Sequence, residues 1–378
     1  MLCQSKYTLA IYQLLFLMTC IFILCTSCNQ NKYYSDPSVS ILKDSTHHLN
    51  NTTKFTPSHL RIISFNVWHG LKTDEGIIRL KEFENKTEKE IRYLSLVQEL
   101  KNLDADIITL QEANLVNKYS ERIAADLGYD QIHQTANAGI KLFGIGIPVN
   151  VNEGLVILAK KQYNLQKVGA HKLSGPKLSI QTNQFSFQFA ETRYCLIGKI
   201  THTGREIYIL NTHLHSGASD SKTLLNNLES LRNNGDITQT IYDEKSREIS
   251  QSSLRRNLEI SSALDYLHKK NPNGNPTILS GDFNATEESN EILQIISKWE
   301  FIDSFRARNP NLWGFTSEHI ILQTTPNPAS NQSKQDDIKT FQTNYNSEPK
   351  RIDYIFLSYH FSKNIIRSQI VLNMMHKN

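Results

Sequence analysis

Five short stretches of this 378-residue chain place side chains capable of chemistry at the ends of apolar runs. They are Asn66 after Ile62-Ile-Ser-Phe, Glu112 within Leu110-Gln-Glu, the triplet Asn211-Thr-His213, the run Ser280-Gly-Asp282-Phe-Asn284, and Arg351-Ile-Asp353-Tyr. Carboxylate and amide oxygens are ligands for a hard cation. An imidazole with an ordinary pKa of ~6.5 exchanges a proton near neutrality. Amide hydrogens stabilise an oxygen on which charge is building. Each position also has a plainer reading when taken alone. A carboxylate after a strand is usually a helix cap or a solvated turn residue, and Gly-Asp-Phe-Asn suits an ordinary turn. A single His213 is more often a hydrogen-bonded structural residue, and Asp353 can be an ion-pair partner of Arg351. His215, two residues on, points the same way as His213 if the strand continues and otherwise faces solvent.

The elements that must position these residues follow from periodicity. Short β-branched runs predict strands at Arg61–Val67, Asp106–Gln111, Gly154–Ala159, Tyr194–Ile200, Glu206–Asn211, Thr277–Ser280, Arg351–Leu357 and Ile365–Leu372. A helix over Glu88–Leu103 puts Ile91, Leu94, Val97, Leu100 and Leu103 on one face, and Ser120–Leu127 is a short helix closed by Gly128. Ser246–His268 is a long helical pattern with Leu254, Leu258, Leu264 and Leu267 facing one way, and Glu287–Trp299 is a shorter one. Three segments read as surface excursions: Gln134–Asn152, Ser219–Asp243 (with a helix through Leu224, Leu225, Leu228 and Leu231), and the polar Asn309–Glu348. No internal repeat is present. This mixed order implies packed sheets flanked by helices rather than a purely parallel winding. Loops at the strand ends then share one cleft.

Bulk properties discriminate little. Hydrophobic residues make up 39%, enough for a sizeable core, and 41 basic against 37 acidic residues leave a net charge of +4. Scattered Lys and Arg at that balance give no basic footprint for nucleic acid. The N-terminus is different in kind. Lys6 precedes an apolar stretch from Leu9 to Leu24, which ends in Cys25-Thr-Ser-Cys28. That is the order of a secretory signal. Small residues before a cysteine resemble a bacterial lipobox, with Cys28 as the lipidated residue, although Cys25 stands where Leu is usual. Ordinary signal cleavage and an uncleaved short anchor are the alternatives. Residues 29–58 read as a flexible tether, and 59–378 as the folded domain. Four of the five cysteines lie in the leader, so Cys195 has no disulfide partner in the remainder and reads as a core thiol.

Taken together, the order Asn, Glu, Asn-x-His, Gly-Asp-x-Asn, Arg-x-Asp, each at a strand end, resembles the endonuclease/exonuclease/phosphatase superfamily. That group includes pancreatic deoxyribonuclease, abasic-site endonucleases, bacterial sphingomyelinases and inositol-polyphosphate phosphatases. The resemblance runs from Leu60 to the C-terminus through short motifs. It implies an α/β fold of the α+β type: a four-layer sandwich in which two packed mixed β-sheets are flanked by helices. It also implies a phosphodiesterase, nuclease or phosphatase that uses Mg²⁺, or Mn²⁺, on Glu112 with Asn66 beside it. Asp282 would orient or deprotonate the attacking water, Asn284 would hold a non-bridging oxygen, and His213 would donate to the phosphate or leaving group. The expected partners are a phosphoester substrate (lipid head group, nucleotide or nucleic acid) and a membrane, reached through the lipid anchor of an exported monomeric lipoprotein. Without the lipid the protein would be secreted.

One part of the pattern is missing. The family ends in a Ser-Asp-His unit whose histidine is braced by the Arg-x-Asp carboxylate, here Asp353. No Asp-His follows Asp353. His360 and His376 are the remaining histidines, and neither has the expected neighbours. The expectation is therefore a C-terminally truncated member, with its last strand absent and its activity impaired. A non-catalytic relic or binding protein that keeps the metal side is the competing reading. The apolar Leu142–Val149 is a candidate lipid-contact loop, with burial as the alternative.

Overall fold

The strand ends that carry these residues meet because two sheets pack face to face. The computed structural model describes residues 59–68, 71–74, 77–82, 86–142, 145–175, 180–181, 185–187, 192–217, 222–317 and 349–371. Contacts divide the chain into Met1–Phe55 and Thr56–Asn378; every described residue lies in the second unit. The leader with Cys28, the tether and His376 fall outside the described residues. Among those described, no helix is long and apolar enough to cross a membrane.

Strands β1 (Ile62–Asn66), β2 (Leu71–Asp74) and β3 (Ile77–Glu82) lead to helix α1 (Lys86–Leu103). Then come β4 (Ile107–Ala113), α2 (Val116–Leu127) and a long hairpin of β5 (Tyr129–Leu142) and β6 (Ile145–Lys160). β7 (Gln166–Ser174), β8 (Ile180–Gln181), β9 (Phe185–Phe187), β10 (Arg193–His202) and β11 (Arg205–His213) follow. Helices α3 (Lys222–Asn233) and α4 (Gln239–Lys270) precede β12 (Thr277–Asp282), α5 (Asn290–Ser297), β13 (Phe301–Asp303) and β14 (Asp353–Ser358). One sheet is ordered β1-β4-β6-β5-β9-β8 and the other β13-β14-β12-β11-β10-β7. Both are mixed, with β1–β4 and β11–β12 parallel and the other pairs antiparallel.

Strand alternation builds the four layers. Ile107, Ile157, Ile209, Ile278 and Leu357 point into the core between the sheets. Their chain neighbours Ile108, Val156 and Leu158 face a core shared with Leu96, Leu100 and Ile123 of α1 and α2. On the other side Leu210, Leu279 and Phe356 meet Ile260, Ala263 and Leu264 of α4 and Ile292 and Ile295 of α5. A period of two thus feeds both faces of each sheet. The expected sandwich is the observed one.

Several local expectations differ. Helix α1 buries Tyr93, Leu96, Val97 and Leu100, while Ile91 and Leu94 are exposed. In α4, Leu254 and Leu258 are exposed as well; the middle of that helix buries Ser252, Ser253, Arg256 and Glu259 instead. Gln134–Asn152 is no excursion but the body of the β5–β6 hairpin, paired from Tyr129↔Lys160 to Leu142↔Ile145. Leu142–Val149 falls at its far end, and the side chains there lie outside the described residues. Residues 365–371 form no strand: Ile365 packs against the core between the sheets while Ile366 is exposed, without a ladder partner. The helix through Leu224 and Leu228 is present as α3, with both leucines buried. Of Asn309–Glu348, residues 318–348 lie outside the described set. Cys195 is a buried free thiol, pushed up to about 12 by burial.

Candidate active site

Strand register brings the chemical residues together. His213 pairs with Asp282 across the parallel β11–β12 ladder, and Asp282 pairs with Asp353 across antiparallel β12–β14. Residues level with one another on adjacent strands point to the same face, so one row reads imidazole, carboxylate, carboxylate. Gly281 makes the approach of β12 possible. Its φ is +149°, and a Cβ there would lie 2.0 Å from the Thr212 carbonyl oxygen. The other sheet supplies Asn66, level with Gln111 on β4. A bulge between Leu110 and Ala113 then turns Glu112 toward it, with the Glu112 backbone at φ 55. A non-glycine residue held there costs about 1–3 kcal/mol, so the surrounding structure must impose it. Asn284 is also left-handed, at φ 50. Asparagine tolerates this, and the Asn284 N–H donates to Asp282 Oδ1 at 2.9 Å.

Polar contacts lock the two sheets at this end. Thr109 Oγ1 and Ser280 Oγ are 2.9 Å apart, and Gln111 Nε2 donates to Asn211 Oδ1 at 2.8 Å. Asn211 Nδ2 donates in turn to the carbonyls of Leu110 and Val156, both at 2.9 Å. Asn211 therefore joins the layers, leaving His213 as the member of its triplet that faces the site.

The centre of the site is the Asn66 amide. Nδ2 donates to Glu112 Oε1 at 2.9 Å and to Asp282 Oδ2 at 3.0 Å. The Trp68 N–H donates to Asn66 Oδ1 at 3.0 Å, which fixes which way the amide points. Buried His213 sets Nε2 3.7 Å from Asp282 Oδ2 and 4.0 Å from Glu112 Oε1. Those are ion-pair distances, too long for hydrogen bonds. Asp353 lies beside Asp282, and its Oδ1 is a buried acceptor without a donor among the described residues. Burial, then the charges of Asp282 and Glu112, hold its carboxyl well above the usual carboxylate range. Asn284 Nδ2 donates to the Leu214 carbonyl at 3.0 Å.

Other expected residues are placed elsewhere. Arg351 does not pair with Asp353; it reaches Asp303 Oδ2 and Glu287 Oε2, both at 2.6 Å. His215 lies past the end of β11, with its N–H donated to Glu259 Oε2 at 2.8 Å. His360 is exposed on the turn after β14, where Nδ1 meets Ser358 Oγ at 3.2 Å. Five strand steps of ~3.4 Å separate Ser358 from Asp353, so His360 sits at the far end of the sheet from the site.

The structure also adds residues that sequence reasoning missed. Arg193, buried at the head of β10, lines a shallow recess together with Glu112, Glu153, Tyr194 and His213. The available signal was a cation just before a predicted strand. Glu259 of α4, which holds the His215 N–H, is held by Arg255 and Ser174. Arg256 donates to the Gly217 carbonyl at 2.7 Å and pairs with buried Glu291. These polar residues of α4 brace the loop that leaves His213.

The donor set suits a hard cation with few protein ligands. Among the described residues no group of three or more His, Cys, Asp or Glu forms a metal cage. Three carboxylates nevertheless converge, with one amide and one imidazole between them. The Glu112 and Asp282 oxygens bonded to Asn66 are at most about 6 Å apart. At an effective dielectric of 20 two such charges repel by roughly 3 kcal/mol, which a divalent cation relieves. One or two carboxylates with water completing the shell is the manner of Mg²⁺.

The geometry can be set beside known proteins. The model of the Endonuclease/Exonuclease/phosphatase family matches residues 63–372. Among solved structures, the chain is similar to a mannosyl-6-phosphatase of Bacteroides thetaiotaomicron: 18% identity, 80% of this chain and 86% of that one, TM-score 0.44. It is also similar to an endonuclease/exonuclease/phosphatase protein of Bacteroides vulgatus (14%, 79% and 87%, TM-score 0.47). A third is the human Nocturnin catalytic domain (13%, 80% and 83%, TM-score 0.43). No match is found among curated proteins. On the family match, which spans most of its length, the chain belongs to the endonuclease/exonuclease/phosphatase family of phosphoester hydrolases.

Proposed function

We propose that this protein is a divalent-cation-dependent phosphoester hydrolase, exported and held on a membrane by lipid on Cys28. The observation that carries the catalytic part is the Asn66 amide shared between Glu112 and Asp282, with His213 Nε2 within 4.0 Å of both carboxylates. Glu112 would hold Mg²⁺ or Mn²⁺, with the Asn66 amide beside it orienting the carboxylate; when bound, the ion supplies charge neutralisation at the phosphate oxygens. Asp282 is held by Asn66 Nδ2 and the Asn284 N–H, so it orients the attacking water and takes its proton. His213 donates from Nε2 to the phosphate or the leaving oxygen. Asn284 spends one Nδ2 hydrogen on the Leu214 carbonyl and keeps the other for a phosphate oxygen. The anchor rests on sequence: Lys6, the apolar Leu9–Leu24 and the small residues before Cys28.

The test is release of 4-nitrophenol from mono- and bis(4-nitrophenyl) phosphate with Mg²⁺ or Mn²⁺. Asp282→Asn and Glu112→Gln should each lower the rate by ~10²–10⁴. No release with either ion, or an Asp282→Asn variant as fast as its parent, rejects the reading. Radiolabelled palmitate tests the anchor: incorporation lost in Cys28→Ser supports it, and an unlabelled parent rejects it. A second reading, phosphoester binding without turnover, is favoured by one observation, the donorless buried Oδ1 of Asp353. Cation-dependent phosphate binding with no 4-nitrophenol release selects it.

A further inference from the structure

The loop from Asn309 to Thr316 turns large apolar side chains to solvent although its backbone is firmly held. Leu312 is 59% and Trp313 78% exposed. Arg306 Nη1 donates to the carbonyls of Asn309, Pro310 and Leu312 at 2.9–3.0 Å, while its other nitrogens grip Glu287. Gly314 adopts φ 69, and a Cβ there would lie 2.3 Å from the Phe305 ring, so the chain turns tightly against that ring. At the far end Thr316 Oγ1 accepts from the N–H groups of Ile352 and Asp353, both at 3.1 Å. Three residues span at most about 11 Å, so the Trp313 backbone lies within that reach of Thr316, which accepts from the Asp353 N–H.

Scattered exposed apolar residues are normal. This one is distinguished by its backing. The Trp313 and Phe315 rings are stacked, with centroids 5.8 Å apart and planes 18° from parallel. Phe315 stacks on one face of the indole, and the rest of the Trp313 side chain is turned to solvent. Offset stacking at this spacing is what a further planar ring would continue. We propose that Trp313, backed by Phe315, is a binding platform for a planar aromatic ring, such as a nucleobase, on the ester group of the substrate. The proposal rests on the phosphoester reading above for the neighbouring site. Gly314 and Arg306 keep the platform in place before the ligand arrives, which lowers the ordering cost of binding.

Calorimetric titration of the full chain with Mg²⁺ tests it, using adenosine 5′-monophosphate, glucose 6-phosphate and inorganic phosphate on the parent, Trp313→Ala and Trp313→Phe. The mononucleotide should bind the parent about tenfold tighter than phosphate. That ratio should fall to near one in Trp313→Ala and be largely kept in Trp313→Phe. A ratio unmoved by Trp313→Ala overturns the platform, as does an equal Trp313-dependent gain for glucose 6-phosphate, which would mark a sugar-binding face. Phosphate binding without any Trp313 effect counts against the platform alone. Trp313-dependent mononucleotide binding without phosphate binding supports the platform and counts against the phosphoester site. Binding of none of the three overturns both.

Discussion

Replacing Asn66 by Asp turns the donor at the centre of the site into an acceptor of nearly the same size. The parent amide hydrogen-bonds both Glu112 and Asp282 from one nitrogen. In the variant both bonds are lost and a third negative charge stands about 3 Å from each partner. A hydrogen bond to a charged group contributes about 1.5–3 kcal/mol net, and a full added charge would repel each partner by roughly 5 kcal/mol at an effective dielectric of 20, more than the bonds themselves. Protonation of the new carboxyl limits the damage, since it can then donate to one of the two. The expected loss in the cation-free protein is about 3 kcal/mol. For a domain of this size that lowers Tm by about 6 °C.

A divalent cation should reverse the sign of the comparison. An extra oxygen ligand binds the ion more tightly, and stabilisation by ligand grows with concentration over Kd. The rise in Tm between chelator and 10 mM Mg²⁺ should therefore be larger in Asn66→Asp than in the parent. Asn66→Ala, which removes the donor without adding charge, should lose less in chelator and gain less from Mg²⁺. Thermal unfolding in both conditions measures this without any substrate. An unchanged Tm in chelator, or a drop that Mg²⁺ leaves untouched, would falsify the assignment of Asn66 as the bridge between two charged carboxylates.

Four further substitutions probe the support around the site. Asp353 has a carboxyl raised by burial and by its acidic neighbours, so the native state holds a proton that the unfolded chain releases, and stability falls as pH rises through that window. Asp353→Asn should thus stabilise the cation-free protein at pH 7 and change little at about pH 3; equal effects at both pH values refute this. Arg351→Met leaves Asp303, 6% exposed, buried without its partner, and should cost about 3–5 kcal/mol in urea unfolding. Glu287→Gln acts on a side chain 43% exposed and should cost less than about 1 kcal/mol; the reverse order would contradict the burial argument. Gly281→Ala puts a methyl group on the Thr212 carbonyl and should either unfold the protein or part β11 from β12, read as lost amide protection at His213 and Asp282.

Where the sequence was legible, short range decided the outcome. The strands ending at Asn66, Glu112, His213 and Asp282 are runs of β-branched and apolar residues closed by a polar one, and their ends coincide with the site. The bulge at Glu112 left no such mark. It arises from pairing β4 with the part of β6 that lies more than forty residues further on. The excursion expected at Gln134–Asn152 failed for a related reason: its Gly and Asn residues resemble a loop, while cross-strand pairing along β5–β6 makes a hairpin of it.

Helix α4 is the most informative miss. Counting apolar residues selects the face of Leu254 and Leu258, yet the molecule buries Arg256 and Glu259. Burying two charges and exposing two leucines forgoes about 1.5–3 kcal/mol for each leucine, so another requirement must outweigh it. That requirement is the loop after His213. Glu259 takes the His215 N–H, and Arg256 takes the Gly217 carbonyl. Further along the same helix, where no loop has to be held, Ile260, Ala263, Leu264 and Leu267 return to the core as periodicity demands. Hydrophobic pattern therefore fails over the turns that hold the chemistry in place and holds beyond them. A polar face buried beside an exposed leucine stripe is itself a sequence-level pointer to a braced functional loop.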